Sequence, residues 1–316
     1  MITGANGQIG TELMLELQRM YGENNVISTD IKPPKEEIGR FEILDILDHR
    51  RVSDFIMDNN VTQIYHLAAL LSSKGEDNPQ LTWKINFDAY LNILEIARFG
   101  EINRIFFPST IGIYGPTTPK QETPQNSSFI PSTVYGISKI SGELWNEYYR
   151  NKYGLDVRGL RYPGVISHKT RPAGGTTDFA VEIFFDAVEH NHYECFLSEN
   201  TRLPMMYMPD VLKATLDLMH ADRDSLSTSM AYNVSGFSLS PAELYSEIRK
   251  YLKDFTVEYK PDHRQKIADS WTESIDDSLA RKDWNWNPSY SMESMVEDML
   301  LNMAPAKMKG DSIIKS

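Results

Sequence analysis

Residues 3–10 read TGANGQIG, with glycines at Gly4, Gly7 and Gly10 in a GxxGxxG spacing. The segment runs directly into an amphipathic stretch that begins near Ile9, so we expect the loop to open a helix. Glycines permit a tight turn and let backbone N–H groups approach a pyrophosphate at the positive end of that helix. The segment therefore predicts the phosphate-binding turn of a dinucleotide-binding fold.

Outward from this loop, apolar strands alternate with helical segments as far as about residue 160, which is the pattern of βαβ units with a parallel sheet. The predicted strands are residues 25–30, 40–45, 63–68, 104–109 and 156–161, and the predicted helices are residues 9–20, 51–60, 81–99, 133–152 and 179–190. We predict an α/β fold with a doubly wound parallel Rossmann sheet in residues 1–162, parts of which continue beyond that range. A smaller C-terminal α/β substrate lobe is expected mainly in residues 163–303, followed by a flexible tail, residues 304–316.

The composition argues against several classes of protein. With 316 residues, 41% of them hydrophobic and 24% charged, the chain has the make-up of a globular protein. A net charge of −12 disfavours nucleic acid as a partner. No apolar stretch is long enough to span a bilayer, so we expect no membrane partner and a cytoplasmic protein. Cys195 is the only cysteine and no HExxH motif occurs, so we predict no disulfide and no metal site.

Two aspartates follow predicted strands and suggest which dinucleotide binds. Asp30 ends the segment VISTD, where a carboxylate accepts hydrogen bonds from ribose hydroxyls and repels a 2′-phosphate. This favours NAD over NADP, although the positive charge of Lys32 could weaken the preference for NAD. Asp45 is placed to meet the adenine amino group. Each aspartate has a structural alternative, since Asp30 could cap a turn and Asp45 could cap a helix.

Tyr135 and Lys139 form a YxxxK pair, and their i, i+4 spacing places both side chains on one face of a predicted helix. An ammonium ~4 Å from a phenolate, at an effective dielectric of ~20, stabilises it by ~4 kcal/mol, or roughly three pKa units. The phenol can then act as a general base. A chance surface pair is the structural alternative, but the position of the motif after the predicted strand 104–109 favours catalysis.

Hydroxyl and amide side chains near this pair have candidate roles. Ser109 or Thr110, at the end of the predicted strand 104–109, can present a hydroxyl to the reacting oxygen, and which of the two does so stays open. Both are otherwise ordinary turn formers. Asn86 lies in a helix expected to pack beside the YxxxK helix. It could carry a proton relay through water to Lys139, or be a core amide with satisfied hydrogen bonds.

Together with HLAA (residues 66–69) and PST (residues 108–110), these motifs resemble those of the extended short-chain dehydrogenase/reductase superfamily. Five segments spread over both lobes narrow the resemblance to the short-chain L-threonine 3-dehydrogenases. They are LLSSKGE (70–76), PSTIGIYGP (108–116), LRYPGVIS (160–167), GGTTDFAVEIF (174–184) and LPMMYMPD (203–210).

This resemblance implies NAD-dependent oxidation of L-threonine to 2-amino-3-oxobutyrate by a homodimer, with Tyr135 as the base and Thr110 at the family's Ser/Thr position. The motifs and the resemblance together predict a cofactor site formed by Gly4, Asn6, Gly7, Gln8, Ile9, Gly10, Asp30, Asp45, Ile46, Leu67, Ala68, Ala69, Asn86, Tyr135, Lys139, Tyr162, Pro163 and Ile166. The predicted substrate site contains Ser72, Ser109, Thr110, Tyr135, Thr176, Thr177, Asp178 and Trp271. Among these, Trp271 could instead be simply buried, as tryptophans often are.

Two other functions stay open at this stage. A sugar-nucleotide epimerase shares the fold, the cofactor and the YxxxK pair. A dehydratase of the same superfamily needs carboxylates directly after the catalytic threonine, whereas Ile111 and Gly112 follow Thr110 here. A non-catalytic NAD-binding regulatory protein typically loses the Tyr or the Lys, and both are present.

Overall fold

The computed structural model describes residues 1–36, 39–172 and 174–303, and the predicted tail, residues 304–316, lies outside them. The strands are β1 (Ile2–Thr3), β2 (Ser28–Asp30), β3 (Phe41–Ile43), β4 (Gln63–His66), β5 (Arg104–Thr110), β6 (Val157–Tyr162), β7 (Gly164–Ile166), β8 (His192–Cys195), β9 (Leu203–Tyr207), β10 (Tyr232–Asn233), β11 (Phe237–Leu239) and β12 (Thr256–Tyr259). The helices are α1 (Gln8–Tyr21), α2 (His49–Asp58), α3 (Ser72–Asp77), α4 (Pro79–Trp83), α5 (Ala89–Phe99), α6 (Val134–Tyr153), α7 (Phe179–His190), α8 (Met208–His220), α9 (Pro241–Ile248), α10 (Arg264–Ala268), α11 (Ser278–Trp284) and α12 (Met292–Met303).

Seven parallel strands form the central sheet, in the order β10-β6-β5-β4-β1-β2-β3. The chain reverses its direction of winding between β1 and β4, which makes the sheet doubly wound and places the ligand crevice at the carboxyl ends of these strands. This confirms the predicted fold class. The edge strand β10 comes from the C-terminal half of the chain.

Helices cover both faces of this sheet because its strands are apolar on both sides. Phe106 and Phe107 are consecutive in β5, have no exposed surface and point to opposite faces. Phe106 packs in a cluster that contains Leu13 of α1 and Val211 of α8, whereas Phe107 packs in a cluster that contains Tyr90 of α5. Such strands are buried on both faces, as expected for a parallel sheet. No helix among the described residues is long and apolar enough to cross a bilayer.

The helix of the YxxxK motif is fixed at both ends by local sequence. The Thr133 hydroxyl accepts a hydrogen bond from the backbone N–H of Gly136 at 3.1 Å and caps the start of α6. Gly154 ends the helix with a φ of 73°, in the left-handed region that glycine tolerates best. The helix therefore begins at Val134, one residue before Tyr135, and its first turns reach the carboxyl end of the sheet.

The C-terminal lobe contains two small sheets that the sequence pattern did not predict. One has the order β11-β9-β7 and the other pairs β12 with β8. A second difference concerns the helix expected at residues 81–99, which is divided into α4, a π-helical turn at Lys84–Asp88, and α5. The extra residue in that turn places Asn86 in a local irregularity, a feature often found near functional sites.

Candidate active site

A cavity of about 400 Å³ lies at the carboxyl ends of β1, β4, β5 and β6. The glycine loop forms one side of it and the YxxxK pair forms another. Of the predicted site residues, those that line it are Gly4, Asn6, Gly7, Gln8, Ile9, Gly10, Leu67, Ala69, Ser72, Ser109, Thr110, Tyr135, Lys139, Tyr162, Pro163, Thr176, Thr177, Asp178 and Trp271. The cofactor and substrate segments of the sequence therefore meet in one cavity.

The glycine loop has the space and the donors that a dinucleotide needs. A Cβ atom at Gly10 would lie 2.5 Å from the carbonyl oxygen of Gly4, and one at Gly4 would lie 2.7 Å from the backbone nitrogen of Ala68. Gly7 precedes α1 without any side-chain capping bond, so no side chain caps the backbone donors of the first turn. Free N–H groups at the positive end of a helix, reached over a loop without side chains, fit a pyrophosphate.

Asp30 holds the same loop from the side of β2. Its carboxylate accepts hydrogen bonds from the backbone N–H of Asn6 at 3.1 Å and of Lys32 at 3.4 Å, and the Asn6 amide donates to the Lys32 carbonyl at 2.7 Å. Asp45 is exposed beyond β3 and accepts a hydrogen bond from the backbone N–H of Leu47 at 2.9 Å. Asp30 therefore borders the loop as predicted, whereas the contact that Asp45 makes is that of a turn.

Three predicted cofactor residues lie behind the cavity surface. Ile46 is buried in the core that contains α2, and Ile166 has no exposed surface in β7, next to Val165, which does line the cavity. Ala68 packs beneath Gly4, since a Cβ atom added to Gly4 would lie 2.7 Å from the Ala68 backbone nitrogen. Because strand residues alternate in direction, the prediction of Ile166 selected the residue that faces the core.

Tyr135, Lys139 and Thr110 come together at the inner end of the cavity. The Thr110 hydroxyl lies near Tyr135, where it lowers the pKa of the phenol against the larger effect of burial. The Lys139 ammonium nitrogen lies 5.7 Å from the centroid of the Tyr135 ring and 4.9 Å from that of Phe107. The i, i+4 spacing thus places both side chains of the motif on one face of α6, as predicted.

Burial controls the ionisation of this pair in the protein alone. Burial raises the pKa of Tyr135 to about 12, and the nearby Thr110 hydroxyl has a smaller effect in the opposite direction. Burial also lowers the pKa of Lys139 to about 7. The expectation that Lys139 brings the phenol toward neutrality therefore does not hold in the protein alone, because the ammonium lies over aromatic rings and is itself destabilised by burial.

Ser109 and Thr110 point in opposite directions from β5, and this separates their roles. The Thr110 hydroxyl lies near Tyr135 and accepts a hydrogen bond from the Gly112 N–H at 3.0 Å. The Ser109 hydroxyl instead donates to the Glu143 carboxylate. Ser109 contributes to the cavity wall, but its hydroxyl faces the interior of the protein. The geometry therefore favours Thr110 as the hydroxyl that meets the reacting oxygen.

Glu143 was missed by sequence reasoning. It lies one helical turn after Lys139, has no exposed surface, and forms an ion pair with the equally buried Arg161 of β6, whose Nη2 lies 2.7 Å from its Oε2. The signal in the sequence was a carboxylate at i+8 from Tyr135 and an arginine inside an apolar strand, both at positions that periodicity predicts to be buried.

The Asn86 side chain acts as a clamp on the loop after β4. Its Oδ1 accepts a hydrogen bond from the Leu70 N–H at 2.8 Å, and its Nδ2 donates to the Leu70 carbonyl at 2.9 Å. It is 2% exposed, so these two bonds satisfy a buried amide. The side chain therefore has the contacts of the core-amide alternative, not those of a relay to Lys139.

The predicted substrate residues form the outer part of the cavity. The hydroxyls of Ser72 and Thr176 lie 3.2 Å apart, and both residues are buried. The Asp178 Oδ2 accepts hydrogen bonds from the backbone N–H groups of Gly174 at 2.8 Å and Gly175 at 2.6 Å, while burial raises the pKa of this carboxyl. Trp271 is 5% exposed and forms part of the wall. Within the described residues, no three His, Cys, Asp or Glu side chains are arranged to hold a metal ion.

The chain is similar to known proteins in both sequence and structure. A model of the NAD dependent epimerase/dehydratase family matches residues 1–235. The chain belongs to this family. An uncharacterized epimerase/dehydratase from Staphylococcus haemolyticus is 45% identical over 304 residues, or 95% of each chain. The motifs at Gly4, Tyr135 and Lys139 therefore lie in the part of the chain that defines the family.

Solved structures are similar over nearly the whole chain. A GalE-like L-threonine dehydrogenase from Cupriavidus necator, in its holo form, has a TM-score of 0.94 and 48% identity and covers 96% of this chain and 98% of its own. A monomeric L-threonine 3-dehydrogenase from a metagenome has a TM-score of 0.93 and 48% identity, with 96% and 97% coverage. Both lobes of this chain, including the outer part of the cavity, therefore have counterparts in these structures.

The buried Lys139 predicts a pH-dependent effect on stability. Its pKa falls from 10.5 to about 7 on folding, so between these values the unfolded chain binds more protons and stability rises with pH. Lys139→Met removes this penalty. We therefore expect it to raise the melting temperature relative to the unmodified protein, by a difference that is largest at pH 7 or below and shrinks toward pH 10.

The measurement is thermal unfolding of both proteins at several pH values, with Lys253→Met, which replaces an exposed lysine, as the control. The control should show no such trend. A Lys139→Met difference that stays constant from pH 7 to pH 10 would contradict the burial of an ionisable amine at this site.

Proposed function

We propose that the protein is an NAD-dependent L-threonine 3-dehydrogenase. It oxidises the C3 hydroxyl of L-threonine to a ketone and releases 2-amino-3-oxobutyrate, which loses carbon dioxide to give aminoacetone or is cleaved to glycine by a partner ligase. The observation that carries the proposal is the cavity itself, in which the Thr110–Tyr135 hydroxyl pair lies close to small polar groups and the Asp178 carboxylate. The similarity to L-threonine dehydrogenases over 96% of the chain supports it.

The residues divide the work of the reaction among them. The C3–H bond breaks with its electron pair and the hydroxyl proton passes to the Tyr135 oxygen, so one hydride and one proton leave the alcohol. Thr110 orients the reacting oxygen through its own hydroxyl. NAD, when bound, would supply the hydride acceptor and, through its nicotinamide ring, a positive charge that favours the phenolate form of Tyr135. The glycine loop and Asp30 would hold the phosphates and the adenosine ribose. Lys139 would hold the nicotinamide ribose and, in its charged form, add its own positive charge.

Two of the alternative functions, dehydratase and non-catalytic regulator, lack support in the cavity. Elimination by a dehydratase needs an acid beside the catalytic threonine, and Ile111 and Gly112, which occupy those positions, are buried in the core. A regulatory protein without catalysis has no need of a hydroxyl pair held against a buried lysine. An epimerase of sugar nucleotides uses the same pair, and the assay below separates it from the proposed function.

The assembly and location belong to the same proposal. The outer face of α6 exposes Ile137, Leu144 and Tyr148, which lie seven and four residues apart on one side of the helix. An apolar stripe of this kind on a surface helix suits a helix-to-helix contact in a homodimer. Cys195 is a buried free thiol, consistent with work in the cytoplasm.

The first prediction concerns the substrate. We expect NADH formation with L-threonine, much slower formation with L-allo-threonine, whose hydroxyl points away from Tyr135 in the same pose, and slow formation with L-serine. Absorbance of NADH in steady state measures all three. Tyr135→Phe should lower turnover with L-threonine by at least ~100-fold while NAD still binds, because it removes the base and leaves the loop intact. Conversion of a nucleotide sugar, with no oxidation of any of the three amino acids, would replace this proposal by the epimerase.

A second prediction separates the two neighbouring hydroxyls. Thr110→Val keeps the shape of the side chain and removes the hydroxyl near Tyr135, so we expect kcat to fall by ~100-fold or more with little change in the KM for NAD. Ser109→Ala removes a bond to Glu143 only and should lower kcat by less than ~10-fold, with a loss of stability of ~1 kcal/mol. Steady-state kinetics and thermal unfolding measure these effects. The reverse order of the two kcat values would assign the catalytic hydroxyl to Ser109.

A further inference from the structure

An α-amino acid carries an ammonium and a carboxylate on the same carbon atom, so a site specific for it has to match both charges. The cavity has Asp178 for the ammonium. Its cationic side chains among the described residues are Lys74, Lys139 and Arg171. The question is therefore which of these three cations is available for the carboxylate.

Two of the three are committed elsewhere. Lys139 is buried at the inner end of the cavity, against the rings of Tyr135 and Phe107. The Arg171 guanidinium forms an ion pair with Glu189 and stacks on the Phe185 ring at 4.2 Å from its centroid. Both cations are therefore held away from the outer part of the cavity or engaged with other groups.

Lys74 has neither restriction. It lies in α3, two residues after Ser72, and its side chain runs along the loop that contains Asp178. A Cβ atom at Gly174 would lie 3.2 Å from Lys74 Cγ and 3.1 Å from its Cε. No carboxylate among the described residues forms an ion pair with its exposed ammonium.

The charges of Lys74 and Asp178 act on the same region. Burial raises the pKa of Asp178. This effect is opposed first by the hydrogen bonds from Gly175 and Gly174 and then by the positive charges of Arg264 and Lys74. The Asp178 Oδ2 is occupied by the backbone of Gly174 and Gly175. A cation and a carboxylate on adjoining walls of one cavity match the adjacent ammonium and carboxylate of an amino acid.

We propose that Lys74 binds the substrate carboxylate and thereby makes the site selective for free amino acids over amino alcohols and amides. This assignment rests on the proposed function. A compact ammonium on a flexible stem suits this role because it can reach a carboxylate at the cavity mouth without a fixed geometry. Ser72, one half-turn earlier, adds a neutral hydroxyl on the same helix.

The experiment compares Lys74→Met and Lys74→Arg with the unmodified protein on two substrates. L-Threonine carries the carboxylate, and L-threoninamide keeps the ammonium and the C3 hydroxyl but lacks that charge. We expect Lys74→Met to raise the KM for L-threonine about tenfold or more, with little change in kcat or in the KM for NAD. The kcat/KM for L-threoninamide should stay nearly constant, and Lys74→Arg should restore most of the affinity for L-threonine. Lys253→Met, the same change at an exposed lysine outside the cavity, should match the unmodified protein on both substrates.

Three outcomes would overturn the assignment. One is a KM for L-threonine that Lys74→Met leaves unchanged. Another is an equal loss of kcat/KM with L-threonine and with L-threoninamide, because such a loss would indicate a distorted site and not the removal of a charge. The third is a parallel rise in the KM for NAD. In each case the unmodified protein still oxidises L-threonine, so the proposed function survives. Failure of the unmodified protein to oxidise L-threonine would contradict both.

Discussion

The buried ion pair between Glu143 and Arg161 ties together the two elements on which the chemistry depends. Glu143 is on α6, the helix of Tyr135 and Lys139, and Arg161 is on β6, the neighbour of the strand that ends in Thr110. The Ser109 hydroxyl donates to the same carboxylate, and Arg161 also donates to the Gln125 carbonyl at 2.6 Å and to the Asn233 side chain at 3.1 Å. Neither charge is exposed, so the pair is tolerable only because several hydrogen bonds satisfy both groups. Breaking it would move the strand of Thr110 relative to the helix of Tyr135.

Burial on the other side of these elements sets the chemical state of the site. Exclusion of water raises the pKa of Tyr135 and lowers the pKa of Lys139. A general base with so high a pKa is inactive at neutral pH until positive charge arrives beside it. A positively charged nicotinamide ring beside the phenol would lower this pKa and so favour the phenolate.

The sequence predicted the parts of the molecule that depend on local pattern. The GxxGxxG loop lies between β1 and α1, all five predicted strands of the central sheet are present, and α7 has the predicted bounds, Phe179–His190. These elements are specified by glycine spacing and by hydrophobic periodicity, which are properties of short windows. The YxxxK pair and Ser72, Thr176, Thr177, Asp178 and Trp271 were found by motif or by resemblance, and all line one cavity.

The remaining features depend on contacts between distant residues. Helix α3 is only six residues long, and Thr82 of α4 stabilises it by donating to the Gly75 carbonyl at 2.9 Å. The pairing of Glu143 with Arg161, the roles of Ser109 and Thr110, and the burial of Ile166 all follow from strand register, which periodicity does not fix to one residue. The effect of burial on Tyr135 could not be predicted either, because the spacing of a motif gives no measure of solvent exclusion.

In the proposed reaction, a hydride passes within this cavity from C3 of an amino acid to NAD. The most direct test is a single turnover with L-threonine that carries deuterium at C3, followed by mass analysis of the reduced cofactor. Direct hydride transfer from C3 places one deuterium atom in each NADH formed. Reduced cofactor without deuterium, or no reduction at all while a nucleotide sugar is converted, would contradict it.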